Sequence, residues 1–288
     1  TGVQTCALPI LSKIMDHYKN EPVLVVVSAM GKTTNALEEI LETASNKKPF
    51  TILLKNLIDY HLTIISKLFL EDEKESISTQ IGKNFNDISN DLESLKADNY
   101  NMIYDLIISK GEIVSSIIVN AYLNKTGKRS NWIDARKFIR TDSTFREGKI
   151  DWEFTSSKTN TLIPPLLNEN LAVTQGFIGA DINGNTTTLG REGSDYTAAI
   201  IASCMEASEV VIWKDVDGIL NADPKRISNA KKYEQLPYQE AAEMAYYGAS
   251  VIHPKTIKPL ANKNIMLWVR PFNDVKAAGT CIRNCEIT

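Results

Sequence analysis

An unbroken apolar run, Val23-Leu-Val-Val-Val27, constrains this chain more than any other feature. A strand with one face in water alternates apolar and polar side chains, so a run without alternation needs cover on both faces. That is the setting of a strand inside a parallel sheet. The run ends at Ser28-Ala-Met-Gly31, and Thr34 to Thr43 then reads as helix. Glu209-Val-Val-Ile-Trp213 is a second buried strand, with shorter strand-like segments at 130–133, 171–177 and 264–269. Helical spacing separates them at 51–70, 111–124, 194–207 and 238–247. Strands alternating with helices imply βαβ units. The predicted class is therefore α/β, a mainly parallel sheet with helices on both faces. The helix at 111–124 is expected to bury one face carrying Ile113, Ile117, Ala121 and Tyr122. Residues 179–184 read as a turn, and the polar stretch Lys149 to Asn160 as an exposed loop or hairpin.

Composition narrows the function. The chain has 288 residues, of which 43% are hydrophobic, enough for a packed core. With 32 Lys+Arg against 35 Asp+Glu, the net charge of −3 lacks the positive field that nucleic acid or an anionic membrane surface requires. The most apolar long stretch, Thr51 to Leu70, carries Lys55, Asp59, His61 and Lys67, which a bilayer core penalises. Cys6, Cys204, Cys281 and Cys285 are too sparse for a disulfide framework and lack zinc-ligand spacing, so thiols in a reducing compartment are expected. Thr1 to Ile10 has neither helical nor strand periodicity and resembles a translated sequencing adapter. The expectation is that residues 1–10 are artefactual and that one catalytic domain spans 11–288.

Five segments concentrate polar chemistry. In Thr188-Leu-Gly-Arg-Glu-Gly-Ser-Asp-Tyr196, glycines 190 and 193 allow a tight bend and a close backbone approach. Ser194 or Asp195 would cap the following helix, whose N-terminus attracts anions. Arg191 adds a planar fork suited to a carboxylate. A plain strand-turn-helix corner with a surface arginine explains the same residues. In Ile212-Trp-Lys-Asp-Val-Asp-Gly218, a buried strand delivers Lys214, Asp215 and Asp217 to its carboxyl end, the usual ligand side of an open α/β sheet. A charged, internally capped loop is the alternative. Ser28-Ala-Met-Gly-Lys-Thr-Thr34 echoes a P-loop, but Val26 stands where its first glycine is required, so a Walker A motif is rejected. Glu112 opens a helix, where it either grips an ammonium group or only complements the helix dipole. His253 before Pro254 has no nucleophile or metal partner and is expected to be a hydrogen-bonded structural residue.

Taken in order, Val27-Ser-Ala-Met30, Gly111-Glu112 with Ser115, Trp132-Ile-Asp-Ala-Arg136, Gln175-Gly-Phe-Ile-Gly179, Thr187 to Tyr196, Trp213 to Gly218, Asp223-Pro224, Gly248 to Pro254 and Ala278-Gly-Thr280 resemble the aspartokinases of the amino-acid kinase superfamily. The resemblance runs from about residue 11 to residue 283. It implies a three-layer αβα sandwich and ATP-dependent phosphorylation of L-aspartate to 4-phospho-L-aspartate, the first step toward lysine, threonine and methionine. It also implies a cytoplasmic, oligomeric enzyme using ATP and Mg²⁺. By matching position, Arg191 would bind the aspartate α-carboxylate and Glu112 the α-ammonium, with Ser194 beside them. Asp195 would orient the catalytic groups and Ser28 would lie near the transferred phosphate. Lys214, Asp215, Gly218, Lys225 and Ser250 would border the nucleotide, and no side chain is expected as a dedicated metal ligand. The family's opening Lys-Phe-Gly-Gly-Thr-Ser strand and its closing ACT domains have no counterpart here, and Ser250 stands where many relatives have Lys. The expectation is that the chain as given turns over weakly. Acetylglutamate or glutamate kinase activity, or a non-catalytic assembly subunit, are the competing readings.

Overall fold

The computed structural model describes residues 2–169, 171–222, 227, 229–247 and 251–285. They form two compact units, one ending at Ser194 and one starting at Asp195.

The first unit is built from α1 (Gly2–His17), β1 (Val23–Val27), α2 (Thr33–Ser45), α3 (Thr51–Leu68), α4 (Glu71–Glu93), α5 (Tyr100–Ile108) and α6 (Lys110–Lys125). It continues through β2 (Asn131–Ile133), α7 (Trp152–Leu166), β3 (Leu171–Gln175), β4 (Ile178–Ala180) and β5 (Thr186–Thr188). Strands β1, β3 and β2 form a parallel sheet in that order, with Val23 opposite Leu171, Val27 opposite Gln175, and Asn131 opposite Ala172. All of β3 is buried, so both its faces are covered. Helix α6 packs on all three strands, and α7 also packs on β3. The four helices α2 to α5 share a core that includes Leu37, Ile40, Leu57, Ile65, Ile81, Phe85 and Ile88.

Several expectations are corrected here. Lys149 to Asn160 is not a loop: α7 starts at Trp152, with the Asp151 carboxylate accepting from the Phe154 N–H at 3.1 Å. Its buried face carries Thr155, Thr159 and Ile163 at helical spacing, and the Thr155 hydroxyl accepts from the Arg140 N–H. Buried threonines disguised this face as polar. Helix α6 buries more than one face: Val114, Ile118, Val119 and Leu123 join Ile113, whereas Ile117 is only half-buried. It lies between the sheet and helices α2, α4 and α5, so neighbours surround it. Gly179 belongs to the β4–β5 hairpin, and its turn begins at Asp181, whose carboxylate accepts from the N–H groups of Asn183 and Asn185. Residues 2–10 lie in α1, where Leu8 is buried alongside Ile14 and Met15.

The second unit continues α8 (Gly193–Met205) into β6 (Glu209–Lys214), β7 (Gln235–Pro237), α9 (Tyr238–Tyr246), α10 (Pro254–Lys263), β8 (Met266–Pro271) and β9 (Thr280–Arg283). Its sheet has the order β6-β8-β9-β7, parallel except between β8 and β9. Val210, Ile212, Leu267, Val269 and Ile282 of the strands meet Ala199, Ile257 and Leu260 of the helices in one core. Strand β8, between β6 and β9, buries alternate residues, Leu267, Val269 and Pro271, so one of its faces is turned to the core. His253 caps α10, its ring Nδ1 accepting from the Lys255 N–H at 3.2 Å, with Pro254 preset for the first helical turn. That is the structural role expected of it. Among the described residues, Cys204, Cys281 and Cys285 form no disulfide. Among the described residues no helix is long and apolar enough to cross a membrane. The α/β class with mainly parallel pairing therefore agrees with the expectation from sequence.

Candidate functional site

The carboxyl ends of β1 and β3 collect four of the expected residues or the segments that carry them. Ser28 is exposed directly after β1, and its carbonyl accepts from the Ser115 hydroxyl at 2.7 Å. The next N–H, of Ala29, donates to Glu112 Oε1 at 3.4 Å. The first turns of α6 thus hold the loop that leaves β1. Glu112 is only 5% exposed, and its Oε2 has no hydrogen-bond partner. Burial pushes its carboxyl up to about 8, against a smaller opposing pull from its own N–H and that of Ala29. A buried, half-satisfied carboxyl is costly unless it stays protonated or meets a cation.

The bend after β5 is laid onto the end of β3. The Gly176 N–H donates to the Val27 carbonyl at 2.9 Å, extending the strand contact by one residue. A Cβ on Gly176 would stand 2.5 Å from Ser194 Cβ and 2.7 Å from its Cα, so only glycine lets Ser194 sit there. Gly190 turns at φ +74 against the Arg146 carbonyl and the Glu147 side chain. Phe177 (φ +69) and Glu192 (φ +53) are held in the left-handed region without being glycine, a strain typical of functional corners. Arg191 is exposed on this bend, with no hydrogen bond or ion pair to the described residues. Ser28, Glu112, Ser194 and the bend bearing Arg191 thus share one edge of the parallel sheet, the side on which open α/β sheets bind ligands.

Two buried residues that brace this edge escaped the sequence reading. Gln175 accepts from the Ala135 N–H and donates to the Ser116 hydroxyl, both at 2.8 Å, and Trp132 Nε1 donates to the same hydroxyl at 2.9 Å. Asp105 is fully buried and accepts hydrogen bonds from both chain segments that meet at Gly190. Its signal was legible: one acid inside Met-Ile-Tyr-Asp-Leu-Ile-Ile108, an otherwise apolar helix face.

In the second unit, Asp195 lies in the first turn of α8 and Lys214 at the carboxyl end of β6. Lys214 Nζ stands 2.9 Å from Asp195 Oδ2, both side chains partly buried. Asp215 and Asp217 follow, exposed. Gly218 has a packing reason to be glycine. At φ +140, a Cβ there would meet Thr280 Oγ1 at 2.5 Å, and that hydroxyl already accepts from the Ile219 N–H and donates to the Tyr233 carbonyl. Lys225 and Ser250, with Asp223-Pro224 and Gly248-Ala249, lie outside the described residues. Among the described residues no group of three or more His, Cys, Asp or Glu side chains could hold a metal ion.

Comparison with known proteins agrees with this architecture. The lysine-sensitive aspartokinase 3 of Escherichia coli (strain K12) is 35% identical over 263 residues, covering 91% of this chain and 57% of that enzyme. The bifunctional aspartokinase/homoserine dehydrogenase of Buchnera aphidicola is 33% identical over 294 residues, covering 97% of this chain and 35% of its own length. The crystal structure of E. coli aspartokinase III in complex with aspartate and ADP matches with a TM-score of 0.89 at 32% identity, over 98% of this chain and 62% of that one. The chain thus spans less than two thirds of the length of these relatives. Residues 4–271 match the amino acid kinase family, and on that match the chain belongs to the amino acid kinase family.

Proposed function

We propose that this chain is the catalytic part of an aspartate kinase, which transfers the γ-phosphoryl group of ATP to the side-chain carboxylate of L-aspartate. The products are 4-phospho-L-aspartate and ADP. The observation that carries this reading is Glu112: a buried carboxyl, half-satisfied, at the carboxyl edge of β1, is built to meet a cation. The α-ammonium of a free amino acid supplies one, whereas an N-acetylated substrate does not. Arg191 offers an unengaged guanidinium for the α-carboxylate, and Ser194 a hydroxyl held against the strand end. The kinship with aspartokinases, one of them crystallised with aspartate and ADP, supports the same choice.

The chemistry makes modest demands on side chains. The attacking group is already a carboxylate at neutral pH, so no general base is needed. Its oxygen bonds to the γ-phosphorus as the bond to the ADP oxygen breaks, and ADP leaves with the electron pair. What remains is to align the groups and offset anion repulsion, as phosphoryl transfer generally requires. Lys214 contributes positive charge, and Asp195 fixes its ammonium. Mg²⁺ usually binds through substrate phosphates and one or two carboxylates rather than an all-protein cage. The residues fit that mode: carboxylates at Asp195, in the first turn of α8, and Asp215, just after β6, could complete its shell. The ion would screen charge on the phosphates when bound. A cytoplasmic, oligomeric setting goes with this reading.

The test is aspartate-dependent ADP release with hydroxylamine trapping of the acyl phosphate, run with a panel of acceptors. Aspartate should be phosphorylated and acetylglutamate, glutamate and UMP should not. Phosphorylation of acetylglutamate in preference to aspartate would overturn the proposal. In addition, Asp195→Asn should lower turnover by about a hundredfold to a thousandfold, on the scale of a lost preorganised electrostatic contact. Aspartate affinity should stay within about threefold, because the side chains proposed to hold aspartate are Glu112, Arg191 and Ser194, not Asp195. Calorimetric titration beside steady-state kinetics separates the two effects.

A further inference from the structure

The parallel-sheet edge explains how Ser194 is seated, but not what holds the Arg191 bend that precedes it. The bend leaves β5 at Thr188 and turns at Gly190 against Arg146 and Glu147 of a neighbouring loop. Both segments end on one buried carboxylate. Asp105 Oδ2 accepts from the Thr188 N–H and from the Arg146 N–H, each at 2.8 Å. Its Oδ1 accepts from the Thr188 hydroxyl at 2.7 Å. The Gly148 N–H donates to the Thr188 carbonyl at 2.8 Å, closing the far side. Arg146 is itself held at φ +71, with its guanidinium 4.1 Å from the Tyr104 ring. The Tyr104 hydroxyl donates to Glu38.

We infer that Asp105 is a positioning residue for substrate capture: its carboxylate clamps the two chain segments flanking Gly190 and so aims the Arg191 guanidinium at the substrate α-carboxylate. The inference rests on the reading of Arg191 given above. Burying a carboxylate raises its proton affinity, and the accepted hydrogen bonds only partly offset this at Asp105. A helix-core position would more cheaply hold Leu, as its neighbours Leu106, Ile107 and Ile108 show. The carboxylate does work that leucine cannot: a single oxygen, with two lone pairs, satisfies two N–H groups belonging to different segments. The two segments therefore cannot slide apart without orphaning a buried donor. Asparagine can keep this arrangement. Its carbonyl can replace Oδ2, and its amide can donate to the Thr188 hydroxyl, which reverses its role.

The experiment measures aspartate and ADP affinity by titration calorimetry on the full chain carrying Asp105→Ala, Asp105→Asn, Arg191→Ala or the Asp105→Ala/Arg191→Ala pair. Asp105→Ala should weaken aspartate at least tenfold and leave ADP within about twofold, and Asp105→Asn should restore aspartate affinity to within about threefold. With Arg191 already removed, Asp105→Ala should cost no more than a further twofold, because it acts only through that side chain. β-Alanine, which lacks the α-carboxylate, should bind Asp105→Ala and the parent chain alike. A full additive loss in the double variant, or an equal loss for ADP, would overturn the positioning role. If Arg191→Ala leaves aspartate affinity unchanged, the reading of Arg191 itself fails, and the inference falls with it. Should Asp105→Ala fail to fold, the folded Asp105→Asn chain decides: a loss above tenfold for aspartate alone refutes the geometric clamp.

Discussion

Aspartate binding at pH 7 will release close to one proton per site, and Glu112→Gln will abolish that release. In the free protein, burial holds the Glu112 carboxyl near 8, so at pH 7 it is mostly protonated. An ammonium group brought against Oε2 favours the ionised form, and the proton leaves to solvent. Apparent affinity should therefore rise by up to about tenfold per pH unit between pH 6 and 8, then level off. Glu112→Gln keeps the shape and loses the charge. Truncating one side of a buried charged contact costs about 2–4 kcal/mol, roughly 30- to 1000-fold in affinity. Calorimetry in buffers of different ionisation heat reads the proton count directly. Binding with no proton exchange in the parent chain, together with unchanged affinity in the variant, would remove Glu112 from the site.

The same carboxyl predicts an opposite effect on stability. Its folded value of about 8 lies above the 4.5 of an ordinary glutamate, so between those pH values the folded state holds a proton that the unfolded state has lost. Stability must then fall as pH rises across that window, by at most about 1.4 kcal/mol per unit from this group. Without aspartate, Glu112→Gln should therefore unfold at higher urea than the parent chain at pH 8. The advantage should shrink toward pH 5. A residue that costs stability when empty and gains affinity when occupied is the expected mark of a binding group rather than a helix-stabilising one.

Gly176→Ala should have the second large effect. The added methyl would stand 2.5 Å from Ser194 Cβ and 2.7 Å from its Cα, and a backbone atom cannot be moved aside by a rotamer change. Either Ser194 lifts off the strand or the strand end shifts, losing the hydrogen bond from the Gly176 N–H to the Val27 carbonyl. Overpacking of this kind costs about 1–3 kcal/mol. Because Ser194 and Arg191 ride on the same bend, aspartate affinity should fall by at least tenfold as well. Gly82→Ala is the control: a Cβ there meets nothing within 4 Å, and a helix interior favours alanine over glycine by about 1 kcal/mol. Urea denaturation and aspartate titration on the two variants give the comparison. Wild-type affinity in Gly176→Ala would show that the bend does not need its seat on β3.

What the chain announced locally was its strands, most of its helices and the residue types of its chemistry. Val23 to Val27 announced a strand, and Ile212 to Asp217 a strand carrying charge to its carboxyl end, because both patterns depend on near neighbours alone. The cover expected on both faces of 23–27 is not found: β1 is an edge strand with only Val27 fully buried, and the strand covered on both faces is β3. His253 before Pro254 was legible as a hydrogen-bonded structural residue, and its role as the cap of α10 came from the structure. The α7 face stayed hidden, because Thr155 and Thr159 look polar until the Arg140 N–H is there to satisfy a hydroxyl. So did the burial of α6, which follows from packing partners far along the chain. The sequence by itself determined the α/β class and marked Glu112, Arg191 and Ser194 for attention. Only the tertiary structure decided that Glu112 keeps one oxygen dry and unpartnered, that Gly176 makes room for Ser194, and that Asp105 ties two distant segments together. Desolvation and close contact are properties of what surrounds a group, and those surroundings come from residues 18 to 87 positions away, which no local pattern encodes.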